Sequence, residues 1–194
     1  MSTPTADRPE VDLPEKDRYT YADFQQLPEG APYELIHGHL VTSPSPTVQH
    51  QRLVRKLIRA VDDYLRSSNV EGELFFAPMD VHLASDTVVQ PDVLYVSPDR
   101  TDRIGEQEID GAPPLVMEVV SPSTSHRDVF DKKRLYERHG VREYWIVDPD
   151  SETVEVHVLE DEAYTLHRRC VETGVAASAL LDGFAIELAP LFEN

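Results

Sequence analysis

Four residues pose the chemical question. Asp92 lies in Gln90-Pro91-Asp92-Val93-Leu94-Tyr95-Val96 and Glu118 in Leu115-Val116-Met117-Glu118-Val119-Val120, each the single carboxylate of an apolar, strand-like run. A carboxylate buried there without a partner would cost several kcal/mol or be forced to keep its proton. A metal ion or a lysine removes that cost. The lysine candidate is Lys132, in the segment from Asp128 to His139. At about 100° per residue, Val129, Leu135 and Tyr136 share one side of a helix, and Lys132 falls at the middle of their arc. Glu34, in the otherwise apolar Tyr33-Glu34-Leu35-Ile36, offers a third carboxylate. Carboxylates on neighbouring strands under a helix-borne lysine suggest a divalent-metal phosphodiesterase site. Phosphodiester hydrolysis needs a nucleophilic water near neutral pH and neutralised charge on the phosphate, which Mg²⁺ supplies through hard oxygen ligands. Lys132 would polarise the water or hold a phosphate oxygen as a point charge. Taken singly, each residue reads more readily as a strand-end carboxylate in water or one half of an ion pair, Lys132 with Glu118 included.

The elements that must position these groups follow from periodicity and turn chemistry. Thr20 to Leu27 reads as a short helix. Tyr33–Ile36 and His39–Thr42 flank His37-Gly38, a pair suited to a two-residue hairpin because glycine takes positive φ freely. From Thr47, a plausible N-cap, to about Arg66, Leu53, Val54, Leu57, Ile58, Val61, Tyr64 and Leu65 fall at amphipathic helical spacing. The opposite face carries Arg52, Arg55, Lys56 and Arg59, either a solvated helix face or, with Lys133 and Arg134, a basic rim for phosphates. Leu74–Leu83 and Val88–Val96 read as strands, 97–114 as a polar loop, and Leu115–Val120 as a central strand covered on both faces. The Asp128–His139 helix ends at Gly140. Strands at Glu143–Val147, Thr153–Leu159 and Tyr164–Cys170 complete the pattern, with Val154, Val156 and Val158 inward and His157 outward. The order implies an α+β fold with a mixed sheet sandwiched by helices.

Composition bounds the rest. A chain of 194 residues, 40% hydrophobic, suits one domain with a real core. Residues 1–18, rich in Pro, Asp, Glu and Thr, read as a disordered acidic leader before a domain spanning 19–194. No run is long and apolar enough to span a membrane, and no signal-peptide pattern opens the chain, which places the protein in the cytoplasm. The single cysteine, Cys170, permits no internal disulfide and no Cys-rich zinc site. A net charge of −18 repels a polyanion unless the acidic excess is segregated or met by metal.

Six motifs in order carry a family resemblance. They are Tyr33-Glu34-Leu35-Ile36-His37-Gly38; Ser45-Pro46 with His50; Gln90-Pro91-Asp92-Val93; Glu118-Val119-Val120-Ser121-Pro122-Ser123-Thr124; Asp128 with Lys132 and Tyr136; and Gly140 through Asp148. Over about residues 20–194 the chain resembles the PD-(D/E)XK nuclease superfamily and, within it, the bacterial restriction-endonuclease family long catalogued as a domain of unknown function. The resemblance implies a restriction-endonuclease-like mixed β-sheet flanked by helices, and a metal-dependent endonuclease hydrolysing DNA. By the same resemblance Glu34, Asp92 and Glu118 bind Mg²⁺ (or Mn²⁺), with Gln90 and His50 as auxiliary polar groups. The superfamily's lysine would stand two residues after Glu118, where this chain has Val120. Lys132 is its natural replacement and Lys133 the second choice. Because a duplex has two strands to cut, a homodimer is expected, with Val154–Val158, Tyr164 and Leu166 as its interface. Two other readings stay open: a binding or scaffold protein that kept the fold without turnover, and a hydrolase of small phosphoesters.

Overall fold

The computed structural model describes residues 13, 15–28, 30–121 and 126–193, with 126–128 described by backbone alone. In chain order the elements are α1 (Tyr21–Phe24), β1 (Tyr33–Ile36), β2 (His39–Thr42), α2 (Val48–Ser67), β3 (Glu73–Phe76), β4 (Asp80–Ala84), β5 (Thr87–Val89) and β6 (Val93–Val96). A 3-10 turn (Pro98–Arg103), β7 (Glu108–Asp110), β8 (Leu115–Val119), α3 (His126–His139), β9 (Glu143–Asp148), β10 (Thr153–Glu160) and β11 (Ala163–Val171) follow. Short β12 (Val175–Ala177), β13 (Ala185–Glu187) and α4 (Leu188–Phe192) close the described chain.

The mixed α+β architecture expected from the element order is present, with three differences, among them β7, a strand inside the 97–114 segment expected as a loop. The runs 74–83 and 88–96, each expected as one strand, are each broken in two, at Ala77-Pro78-Met79 and at Gln90-Pro91-Asp92. Proline has no N–H for a ladder, so an apolar run that contains one changes partners there. Accordingly β3 and β6 belong to a six-stranded sheet ordered β11-β10-β9-β8-β6-β3, whereas β4 and β5 belong to a five-stranded sheet ordered β2-β1-β5-β4-β7. The two breaks lie side by side, Ala77 N–H donating to Asp92 O at 3.2 Å. The third difference is the closing β12–β13 pair and α4, absent from the sequence reading.

The six-stranded sheet is covered on both faces. Leu53, Val54, Leu57, Val61 and Leu65 of α2 pack with Val93, Tyr95, Leu115, Met117 and Val119. On the other face Leu135 and Tyr136 of α3 pack with Leu94, Val96, Val116 and Tyr144. The alternation along β8 explains both sets: odd positions face α2, and even ones face α3. Strands β8 and β9 are parallel, and α3 is their crossover. The hairpin turn is as expected, with His37 at φ 50° and Gly38 at φ 79°, the left-handed pair of a type I′ turn. Thr47 caps α2, its hydroxyl accepting the His50 N–H at 3.1 Å. Thr20 and Asp23 form a capping box on α1. Lys16 and Arg18, at the end of the segment read as a leader, reach Asp23 (2.6 Å) and His37 O (2.8 Å). Residues 1–12 of that segment, Pro122 to Thr124 and the Asp128 side chain lie outside the described residues.

One expected strand pattern is corrected. Val154 and Val156 are fully buried, but His157, expected outward, is buried too: the alternation continues and sets it opposite Tyr144 on the face that α3 covers, beside Tyr164.

Candidate functional site

The site lies where the two sheets meet, at the paired breaks. In β1, Leu35 turns into a small core with Phe24 and Val88, so Glu34 turns the other way. Its Oε1 accepts the Gln90 backbone N–H at 2.8 Å. The Gln90 side-chain amide in turn donates to Asp80 Oδ1 at 2.8 Å. These three residues come from the five-stranded sheet or its break. On the six-stranded side, the Val93–Met117 pairing sets Asp92 opposite Glu118. Asp92 Oδ2 accepts the Val119 N–H at 2.8 Å and lies 3.1 Å from His50 Nε2, on the inner face of α2. Glu118, an even position of β8, faces α3.

Helix α3 closes the arrangement. Lys132 Nζ donates to Glu34 Oε1 at 3.1 Å and to Glu118 Oε1 at 3.0 Å, tying the two sheets together. One turn later the Tyr136 hydroxyl donates to the same Glu118 oxygen at 2.6 Å.

Electrostatics follow from burial and shortage of positive charge. Burial pushes the Glu118 carboxyl up to about 7, against the pull of Lys132, and repulsion from Asp92 and Glu34 adds to the rise. Burial alone would lower the Lys132 ammonium, but Glu118 and Glu34 outweigh it and hold the lysine charged well above its ordinary range. Burial disfavours His50 protonation too, but its bond to Asp92 raises the ring. Asp80 is raised by burial and by Glu34, with Gln90 opposing. Three carboxylates, Glu34, Asp92 and Glu118, therefore act on one ammonium, with Asp80 behind Glu34, and among the described residues the cluster is short of cations.

The donor set suits a hard divalent ion. Each central carboxylate uses one oxygen within the protein, and among the described residues Glu34 Oε2, Asp92 Oδ1 and Glu118 Oε2 have no hydrogen-bond partner. Three carboxylate oxygens unpartnered among the described residues, one of them on Glu118, fit an oxygen-seeking cation. Among the described residues no three His, Cys, Asp or Glu side chains stand ready-formed around one point. The ammonium of Lys132 occupies the space between Glu34 and Glu118.

The structure thus brings together all six residues singled out from the sequence: Glu34, Asp92, Glu118, Lys132, Gln90 and His50. It adds Asp80 and the Tyr136 hydroxyl. Asp80 is the one carboxylate of its apolar run, the same signal that marked Asp92, but the run was read as one strand through Pro78. Lys133 faces elsewhere, acting on His157 of β10. Val120 packs with the α3-side cluster, so a lysine there would enter the space Lys132 now fills.

Two expectations are corrected. The basic face of α2 does not rim the pocket: at about 100° per residue, Arg52, Arg55, Lys56 and Arg59 point about 120° to 180° away from His50. Lys56 instead caps carbonyls of α4 (Pro190 O, 2.9 Å; Leu191 O, 3.0 Å), and Arg59 pairs with Asp63 at 3.6 Å. Nor can Val154 and Val156 supply an interface, since both are fully buried in the core beneath α2.

A mixed sheet between two helices, broken at paired prolines around a carboxylate–lysine cluster, defines a restriction-endonuclease-like fold. A family model, Uma2, described as "Putative restriction endonuclease", matches residues 21–189. The chain belongs to this family. Its structure is similar to the crystal structure of "a putative nuclease belonging to DUF820" from Anabaena variabilis, with a TM-score of 0.73 and 21% sequence identity over 89% of this chain and 97% of that one. At that identity the likeness shows the fold. Among curated proteins, none matches the sequence.

Proposed function

We propose that the protein is a metal-dependent endonuclease that hydrolyses DNA phosphodiester bonds. The observation that carries this reading is Lys132 Nζ held between Glu34 and Glu118, beside Asp92, in a pocket short of positive charge. Glu34, Asp92 and Glu118 would hold Mg²⁺, which when bound would supply charge neutralisation for the phosphate and a more acidic water. Lys132, held between Glu34 and Glu118, is placed to polarise the attacking water or hold a phosphate oxygen. Gln90, fixed by Asp80, holds Glu34 in place, and His50 holds Asp92. With two strands to cut, the enzyme works as a homodimer in the cytoplasm. Since Val154 and Val156 are buried, the interface candidates that remain of those first considered are Leu166, exposed on the edge strand β11, and the half-buried Val158 and Tyr164.

The test is cleavage of single- and double-stranded DNA by the purified protein with Mg²⁺ or Mn²⁺. Activity should vanish with a chelator and in Asp92→Ala. Metal-independent cleavage, or an Asp92→Ala variant as active as the parent, would remove the mechanism.

One observation favours a second reading, a hydrolase of small phosphoesters. The net charge is −18 and the α2 basic face points away from the pocket, leaving few cations to track a duplex. Turnover of nucleotides or simple phosphodiesters without turnover of DNA would establish it.

A further inference from the structure

From the two donors on one Glu118 oxygen, and resting on the metal-binding reading above, we infer that Tyr136 is a positioning residue that fixes Glu118 for the cation and frees Lys132 to act. The Tyr136 ring is fully buried in the cluster with Leu135, Leu94, Val116 and Tyr144, and stacks obliquely on Tyr144 at 5.0 Å. Phenylalanine would fill that space as well, so packing does not account for the hydroxyl. A hydroxyl taken out of water costs free energy unless it is bonded. This one donates to Glu118 Oε1 at 2.6 Å, a short bond to a group able to carry charge.

Lys132 donates to the same oxygen at 3.0 Å, so Oε1 is spoken for twice and Oε2 is left to face a ligand. The two donors differ in kind. Lysine carries its ammonium on a flexible stem and also serves Glu34. Tyrosine has a rigid ring held on all sides. When Lys132 leaves Glu118 for a water or phosphate oxygen, the Tyr136 hydroxyl keeps the carboxylate in place.

The experiment compares Tyr136→Phe with Tyr164→Phe. Tyr164 belongs to the same aromatic chain, but its hydroxyl donates to Val141 O at 2.8 Å, away from the carboxylates. Phenylalanine keeps each ring, so the melting temperature of either variant should move by only about a few degrees. Mn²⁺ affinity, measured by calorimetry without substrate, should fall about 10- to 100-fold in Tyr136→Phe, as is usual when a partner of a metal ligand is removed. It should stay unchanged in Tyr164→Phe. With DNA, Tyr136→Phe should lose kcat while KM for DNA holds. Equal Mn²⁺ affinity in Tyr136→Phe and the parent would overturn the positioning role and leave the nuclease reading standing. A parent protein that binds no Mn²⁺ would overturn both.

Discussion

Replacing Lys132 with methionine should destabilise the protein by an amount that grows with pH and shrinks with Mg²⁺. Methionine keeps most of the stem and deletes the ammonium, so Glu34 and Glu118 face one another with no cation. Removing one partner of a buried ion pair costs about 3 to 5 kcal/mol. Glu118 offers partial escape, because it can take up a proton. Its folded value of about 7 lies above the ordinary 4.5, so the folded chain binds an extra proton between those limits. Stability from this source is fully present below pH 4.5 and is lost as pH rises through 7, by about 3 kcal/mol in all. In Lys132→Met the proton is held to still higher pH. The gap between parent and variant should therefore be smaller near pH 5 and widen above pH 7 by at most about 1.4 kcal/mol per pH unit, an added shift of roughly 3 to 6 °C in melting temperature at pH 8 for a chain of this size. Mg²⁺ should narrow the gap at pH 8 by replacing the missing charge. Thermal unfolding at both pH values, with and without Mg²⁺, measures all of this. A gap that is the same at pH 5 and pH 8, or one that Mg²⁺ leaves untouched, would refute the idea that Lys132 acts as the cation of the cluster.

Asp92→Asn should abolish metal-dependent cleavage, losing more than the roughly 100-fold typical of an outer partner, while circular dichroism shows an intact fold. Moving the lysine, as Lys132→Val with Val120→Lys, should restore part of the activity that Lys132→Val loses, since both positions feed one space above Glu118; no recovery in a folded double variant would count against that geometry. Glu143→Gln should lower stability by roughly 1 to 3 kcal/mol, because an amide cannot accept at both ends from the donors that surround it, and should leave Mn²⁺ affinity unchanged; a loss of affinity would tie Glu143 to the site.

Much of the fold was legible because its signals are local. The hairpin at His37-Gly38, the α2 stripe and the α3 arc each depend on one element's periodicity, and α3's arc placed Lys132 over Glu118 correctly. What stayed hidden was non-local. The runs around Pro78 and Pro91 keep an apolar pattern while changing sheets, so periodicity runs on through a break that only partner exchange reveals. Asp80 was lost with that break. The direction of the α2 basic face could be read only relative to His50, whose contact with Asp92 joins residues 42 positions apart. Tyr136 was recognised as part of a motif, but a buried hydroxyl and a buried ring look alike in a sequence.

Glu143 carries a different lesson. It is 1% exposed, and its carboxylate accepts from Trp145 Nε1 (2.7 Å), Ser178 Oγ (2.6 Å) and the backbone N–H groups of Ala179 (2.7 Å) and Leu180 (2.8 Å). It ties the loop at 178–180 to the central sheet, in the very stretch, Gly140 to Asp148, that reads as a family signature. A relative that kept Glu143 and Trp145 but lost Asp92 or Lys132 would retain this scaffold contact and still carry that signature. Membership of the family therefore reports on architecture, and sorting working enzymes from silent copies falls to the residues on the seam between the sheets.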